Sequence, residues 1–507
     1  MDSQFFYFFV LVSFFLSMLV ALKMGKNLMK KAPAPNLPPG PWKLPIIGHI
    51  HHLLTSTPHR KLSDLAKTHG SLMQLQLGEI SAIVVSSPEY AREIFKTHDV
   101  KFASRPNIVA LEMLTYGFKD IGFSPYGNYW RQLRKICTIE LLTQSRINSF
   151  RPIREEELSN LIKRIDLQQG LPVNITELVL TTMISIISRA AFGDKCKAQE
   201  QFASLGNIGS IGGGFEIIEL FPSAKWLQLI FNQRPKLKRL HRQLDQILEN
   251  IVIQHKEAKL KEKEGQTEAE DLVDVLLKFQ GGDDSDQDIS LTNNNIKAIL
   301  LDMFGAGGDT SALSVVWAMA ELVRDPRVMK KAQDEVREIY NMKGAFDESC
   351  MHELKYVKSI VKETLRLHPP GALLLPRECR EACEIDGYHI PMKTKLIVNA
   401  WAIGRDPRYW TEPERFYPER FIGSSIDYNG NNFEYIPFGA GKRICPGSKF
   451  GLMSLELALA MLLYHFDWKL PNGMKCEDLD MTEKFGVTVK RKDDLYLIPI
   501  APPSSMA

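Results

Sequence analysis

Phe438-Gly439-Ala440-Gly441-Lys442-Arg443-Ile444-Cys445-Pro446-Gly447 places three glycines, two cations and one thiol in ten residues, directly ahead of an apolar run. The pattern is a tight loop feeding a helix N-terminus. Gly439, Gly441 and Gly447 allow close backbone approach or positive φ, so amide N–H groups can turn toward the Cys445 sulfur and hold it as a thiolate. A thiolate is a metal ligand, yet no other cysteine lies at a zinc spacing and the nearest downstream histidine, His465, is twenty residues on. A single strong ligand calls for a cofactor that supplies the others, and an iron porphyrin with one axial thiolate meets that requirement. On local physics alone, an inert buried cysteine in a glycine-rich turn fits the same residues equally well.

Upstream, Thr292 caps a helical pattern that continues without proline until Arg324, ahead of Asp325-Pro326. A helix of about 32 residues is ~48 Å long, and its mostly apolar composition runs it through the interior of a domain. Within it lies Ala306-Gly307-Gly308-Asp309-Thr310-Ser311. Mid-helix glycines cost ~1 kcal/mol each relative to alanine. Two compensations are open. Another helix can pack closely against the pair, or the helix can open locally, with the Thr310 hydroxyl taking the freed carbonyl or a water and Asp309 relaying protons.

A hydrophobic fraction of 44% against 24% charged residues is that of a globular interior under a wetted surface, and 33 Gly and 28 Pro in 507 residues exclude fibrous and disordered chains. The net charge of +3 provides no field that would recruit nucleic acid. Seven cysteines, an odd number without regular spacing, fit a reducing compartment. β-Branched runs at 72–77 and 81–85, split by Gly78, predict a hairpin, and short strands within 382–398 predict a second small sheet. Helices are predicted over 88–97, 129–142, 150–168, 175–192, 236–262, 268–279 and 352–367. The fold class is mainly α with small β-sheets, and residues 46–507 form one domain.

Residues 1–31 read as a membrane anchor with a basic flank. From Phe5 to Leu22 eighteen residues carry no charge, and a helix of that length covers ~27 Å, close to a thin bilayer core. Lys23, Lys26, Lys30 and Lys31 follow the run and only Asp2 precedes it, which places the rest of the chain in the cytosol. A cleaved signal peptide wants a basic residue before the run and a small-residue cleavage site after it, and both are absent. Prolines 33, 35, 38, 39, 41 and 45 make residues 32–45 an extended hinge.

The opening segment resembles the haem-binding signature of the cytochrome P450 family at Phe438, Gly441, Arg443, Cys445 and Gly447, and residues 306–311 resemble that family's oxygen-activation motif. The likeness runs from the hinge, Leu37-Pro38-Pro39-Gly40-Pro41, through Val489. With Arg405-Asp406-Pro407 it is similar to the plant 71 clan, near enzymes of terpenoid metabolism. The resemblance implies the cytochrome P450 fold behind a single N-terminal transmembrane helix. It implies haem b (iron protoporphyrin IX) as cofactor, Cys445 as its metal ligand and Phe438 packed near the sulfur. Arg443, Trp130, Arg134, Arg377 and Arg105 are then the residues that hold haem propionates, and Thr310 and Asp309 are the catalytic pair that delivers protons. Glu363, Arg366 and Arg420 resemble the family's core network; Pro-Glu-Arg-Phe occurs at both 413–416 and 418–421, and the Phe416-Tyr417 lead-in assigns Arg420.

By the same resemblance the protein is a monooxygenase of the endoplasmic reticulum membrane, single-pass and facing the cytosol. It consumes dioxygen and takes electrons from NADPH-cytochrome P450 reductase, with Lys135, Lys442 and Lys449 as a candidate docking patch. The substrate-recognition segments, 108–118, Met303, Phe304, Ala306, 372–374 and 485–488, are rich in apolar side chains. They suit a hydrophobic small molecule that partitions into membrane lipid, with Glu112 and Thr115 as candidate polar contacts. A terpenoid, sesquiterpene or diterpene, is the first expectation, and an alkaloid, furanocoumarin or phenylpropanoid the alternative. A non-monooxygenase isomerase or dehydratase of the same fold and a nonenzymatic haem sensor or carrier are the remaining readings. Gly212 to Gly214 lack the spacing of a nucleotide loop and are expected to loosen a loop over the substrate entrance.

Overall fold

The structure, a computed structural model, describes residues 17, 36–193, 217–224, 226, 234–261, 270–280, 290–343 and 348–502. Apart from Ser17, the expected anchor lies outside them, as do residues 32–35 of the hinge and Gly212 to Gly214.

The β-branched runs pair as antiparallel β1 (Leu72–Leu77) and β2 (Ile80–Val85), with Leu72 opposite Val85. Two later strands, β3 (Arg377–Glu378) and β4 (Lys395–Val398), extend the sheet in the order β1-β2-β4-β3. This differs from the expected second sheet over 382–398. Only Cys383–Ile385 and Tyr388–Ile390 form a separate hairpin. All four residues of β4 are buried, so it takes a place between two neighbours, parallel to β2 and antiparallel to β3. Residues 36–45 lie against this sheet: the Gln74 N–H donates to the Pro39 carbonyl at 2.8 Å.

Helices make up the rest of the core. Those that place the site are α1 (Asn128–Ile136), α2 (Ile175–Phe192), α3 (Asn293–Arg324), α4 (Lys355–Leu367) and α5 (Ser448–His465). Thr292 caps α3 as expected. Its Oγ1 accepts the Asn295 N–H at 3.3 Å, and Asn295 Oδ1 accepts the Thr292 N–H at 2.9 Å. The helix expected from His352 begins later, because Glu348–His352 is a 3₁₀ turn. Among the described helices, α2 and α3 are long and apolar enough to cross a membrane, but over half of each is buried inside the protein, as befits core helices.

The glycine pair of α3 has a packing explanation. A Cβ on Gly307 would lie 2.7 Å from Ile187 Cδ1 on α2, and one on Gly308 would lie 3.0 Å from Ile184 Cγ1. The helix runs unbroken through 306–311, so of the two compensations open to the glycines the close approach of α2 is the one that forms.

Candidate haem-thiolate site

The loop before α5 is closed by its own backbone. The Cys445 N–H donates to the Phe438 carbonyl at 3.0 Å and the Ile444 N–H to the Gly441 carbonyl at 3.1 Å. Gly441 has φ +67°, and a Cβ there would lie 2.6 Å from Asp99 Oδ1. Asp99 accepts the Lys442 N–H at 2.8 Å and pairs with Arg377 at 3.2 Å, so one carboxylate ties the loop to the sheet. Phe438 packs edge-on against Tyr428 with ring centroids 5.7 Å apart. Gly441→Ala is therefore expected to cost about 1–2 kcal/mol from the backbone conformation alone, and more through Asp99. Denaturant midpoints of the two proteins measure it.

Cys445 is solvent-accessible, yet the dominant influence on its thiol is burial, which pushes the pKa up. A side chain with both properties lies at depth and opens on an internal space. The Gly447 and Ser448 N–H groups and the Arg134 guanidinium pull the other way, and a cation at the sulfur would complete that reversal. The long helix α3 is buried along most of its length but exposed at Gly305 and Ala306. It packs on α5, where Ser311 Oγ lies 3.3 Å from the Cβ position of Gly451. Thr310 Oγ1 donates to the Ala306 carbonyl at 2.7 Å. Asp309 Oδ2 accepts the Thr488 hydroxyl at 2.8 Å.

Four arginines surround the site. Arg443 donates to the Ala103, Ile121 and Ser124 carbonyls and lies over the Trp130 ring at 4.1 Å. Arg105 donates to the carbonyls of Gly122, Leu375 and Pro376, and Arg377 to Ala440 as well as Asp99. Trp130 and Arg134 are one turn apart on α1, as expected, but the indole N–H is engaged by the Ile121 carbonyl at 3.0 Å rather than shared with Arg134. Burial lowers the pKa of all four guanidiniums, that of Arg443 to about 9 with Arg377 repelling it, and that of Arg377 to about 10. Asp99 is the only carboxylate within ion-pair distance of any of them among the described residues. The result is a buried surplus of positive charge that an anion would balance.

The network under the loop has the expected membership. Glu363 accepts from Arg366 Nε at 2.7 Å and Nη2 at 2.8 Å, from Arg420 Nε at 3.1 Å and from the Tyr417 N–H at 2.8 Å. Arg415, the alternative from the repeated Pro-Glu-Arg-Phe, pairs instead with exposed Glu412. Glu112 is exposed, and the Thr115 hydroxyl donates to the Leu111 carbonyl of its own helix.

The family model for cytochrome P450 matches residues 38–497. The chain belongs to the cytochrome P450 family. This P450 is 58% identical to cytochrome P450 71D11 of Lotus japonicus over 94% of its length and 97% of that protein's. It is 53% identical to desmethyl-deoxy-podophyllotoxin synthase of Sinopodophyllum hexandrum over 91% of each chain. It is 49% identical to premnaspirodiene oxygenase of Hyoscyamus muticus over 97% and 98%. A zebrafish cytochrome P450 solved with abiraterone shares the fold at 24% identity, with a TM-score of 0.74 over 88% of this chain and 100% of that one. The P450 is a monooxygenase of the plant 71 clan, and membership implies a haem b cofactor. The residues present fit that group: an accessible thiol at depth, an internal space in front of it, and unbalanced buried arginines suited to two propionates.

Proposed function

We propose that this P450 oxidises a hydrophobic terpenoid, sesquiterpene or diterpene, with dioxygen and electrons from NADPH-cytochrome P450 reductase. Cys445 Sγ would hold the iron, and Arg443, Arg377, Arg105, Arg134 and Trp130 would hold the propionates. When bound, haem supplies the redox centre at which dioxygen is activated for insertion into a C–H bond. The apolar segments around Phe304, Ala372 and Phe485 bind the substrate by burial, exclude water and decide which carbon approaches. Thr310 Oγ1 and the Asp309 carboxylate hold and pass protons.

The observation that carries this reading is the accessible but deeply set Cys445 at the head of α5, the helix on which α3 packs, among surplus buried arginines. The substrate class is supported by the apolar segments and by the relative named as a premnaspirodiene oxygenase. A second reading, a substrate of the podophyllotoxin type, is favoured by the 53% relative. Residues 1–31 anchor the enzyme in the endoplasmic reticulum membrane, 32–45 form the hinge, and 46–507 form the haem domain in the cytosol. Exposed Lys135, Lys442 and Lys449 on the Cys445 side suit an acidic reductase surface.

The reduced, carbon-monoxide-bound spectrum tests the ligand: wild type gives the red-shifted Soret band of thiolate ligation, and Cys445→Ala loses it. Retention of the band in the variant would remove Cys445 as ligand. Microsomes with reductase, offered sesquiterpenes, diterpenes and podophyllotoxin-type compounds, test the substrate. Turnover confined to the last group would replace the first reading with the second.

A further inference from the structure

Ile121 to Ser124 is a short peptide segment whose carbonyls meet the cations described above. Ile121 accepts from Trp130 and Arg443, Gly122 from Arg105, and Ser124 from Arg443. Its amides point the opposite way, onto α3. A single oxygen, Asp302 Oδ2, accepts the Ile121 N–H at 2.8 Å and the Gly122 N–H at 2.9 Å. Asp120, fully buried beside it, takes the Phe123 N–H at 2.8 Å. Gly122 lies close against both acids: a Cβ there would be 3.4 Å from Asp120 Oδ2 and 3.5 Å from Asp302 Oδ1.

We propose that Asp302 is a positioning residue for the haem-propionate donors. It fixes the 121–122 peptide plane from its N–H side, and this aims the Ile121 C=O at Trp130 and Arg443, while Asp120, through the Phe123 N–H, holds the 122–123 plane whose C=O meets Arg105. It thereby joins the helix carrying Asp309 and Thr310 to the cationic side of the site. This inference rests on the reading that Trp130 and Arg443 serve the haem.

Burial raises the pKa of both acids, Asp120 to about 6 and Asp302, which Asp120 also repels, well above the usual carboxylate range. Asp302→Asn keeps an amide oxygen able to accept the same two N–H groups, whereas Asp302→Ala removes the acceptor.

The test uses full-length holoprotein and the rate of haem transfer to apomyoglobin. Asp302→Ala is expected to accelerate transfer by about tenfold or more, and Asp302→Asn to stay within about twofold of wild type. In a Trp130→Phe background the Asp302→Ala effect should shrink to about threefold or less, because one of the donors being aimed is already gone. Hydrogen exchange of the apoprotein should show the amides of 121 and 122 deprotected in Asp302→Ala alone. Should Asp302→Ala fail to accumulate, Asp302→Glu, which moves the acceptor by one methylene, carries the same comparison. Wild-type transfer in the Ala or Glu variant, or strict additivity with Trp130→Phe, overturns the proposal while leaving haem binding intact. Absence of any haem spectrum in wild type would instead overturn the reading beneath it.

Discussion

Glu363→Ala is expected to lower stability by about 3–5 kcal/mol, the loss typical when one member of a buried ion pair is removed. Glu363 and Arg366 are both essentially without solvent contact, and Arg366 also supports the carbonyls of Gly404, Pro413 and Arg415. Removing the carboxylate leaves a buried guanidinium with no counter-charge, frees Arg420 and orphans the Tyr417 N–H. The damage reaches the cysteine loop through Tyr435, whose hydroxyl donates to the Lys362 carbonyl of α4 and whose ring packs against Trp410 and Phe421. Haem content should therefore fall together with the denaturant midpoint. Arg415→Ala is the matched control. Its partner Glu412 is exposed, and such a surface pair contributes about 0–1 kcal/mol. An equal loss in the two variants would show that the network has been assigned to the wrong copy of the repeat.

Local pattern carried the reading wherever a feature depends on neighbours in the chain. The Thr292 cap, the proline after Asp325 and the unbroken apolar run delimit α3, and the glycine spacing delimits the Cys445 loop. Features that depend on distant partners were not legible. β4 reads as one more short apolar strand, and nothing within it says that it pairs with β2 some three hundred residues earlier. Asp99, Asp302 and Thr488 are ordinary polar residues in sequence. Their partners are 343, 180 and 179 residues away respectively. Gly441 held a trace of Asp99, since a glycine at positive φ with no room for Cβ implies a close neighbour without naming it. The pair at Gly307 and Gly308 left two explanations open on the residues alone, and only the position of Ile184 and Ile187 on α2 decides for packing. Trp130 shows a further limit: helical spacing puts it beside Arg134, but the orientation of its N–H is settled by a carbonyl that Asp302 holds from the other side.

Asp309→Asn is expected to reduce product formation by about 10²-fold or more, the range for losing a positioned proton donor or acceptor. The amide preserves the size of the side chain, and its oxygen can still accept the Thr488 hydroxyl, so the fold and the carbon-monoxide spectrum should be unchanged while proton transfer at this position stops. Thr488→Val makes the opposite change. It leaves a carboxylate capable of carrying a proton but removes the hydroxyl that now holds Asp309 Oδ2 at 2.8 Å. Its effect should be a fewfold change in turnover, because an unrestrained carboxylate samples the proton-passing orientation less reproducibly but is not excluded from it. Thr310→Val tests the adjoining step, since among the described residues its hydroxyl is engaged by the Ala306 carbonyl of its own helix. Product formed per NADPH consumed, measured with reductase in membranes, separates these cases from lost electron delivery. If Asp309→Asn turns over at the wild-type rate while Thr310→Val does not, protons reach Thr310 through water alone, and the Thr488 contact is a packing feature of α3 rather than a hold on a proton carrier.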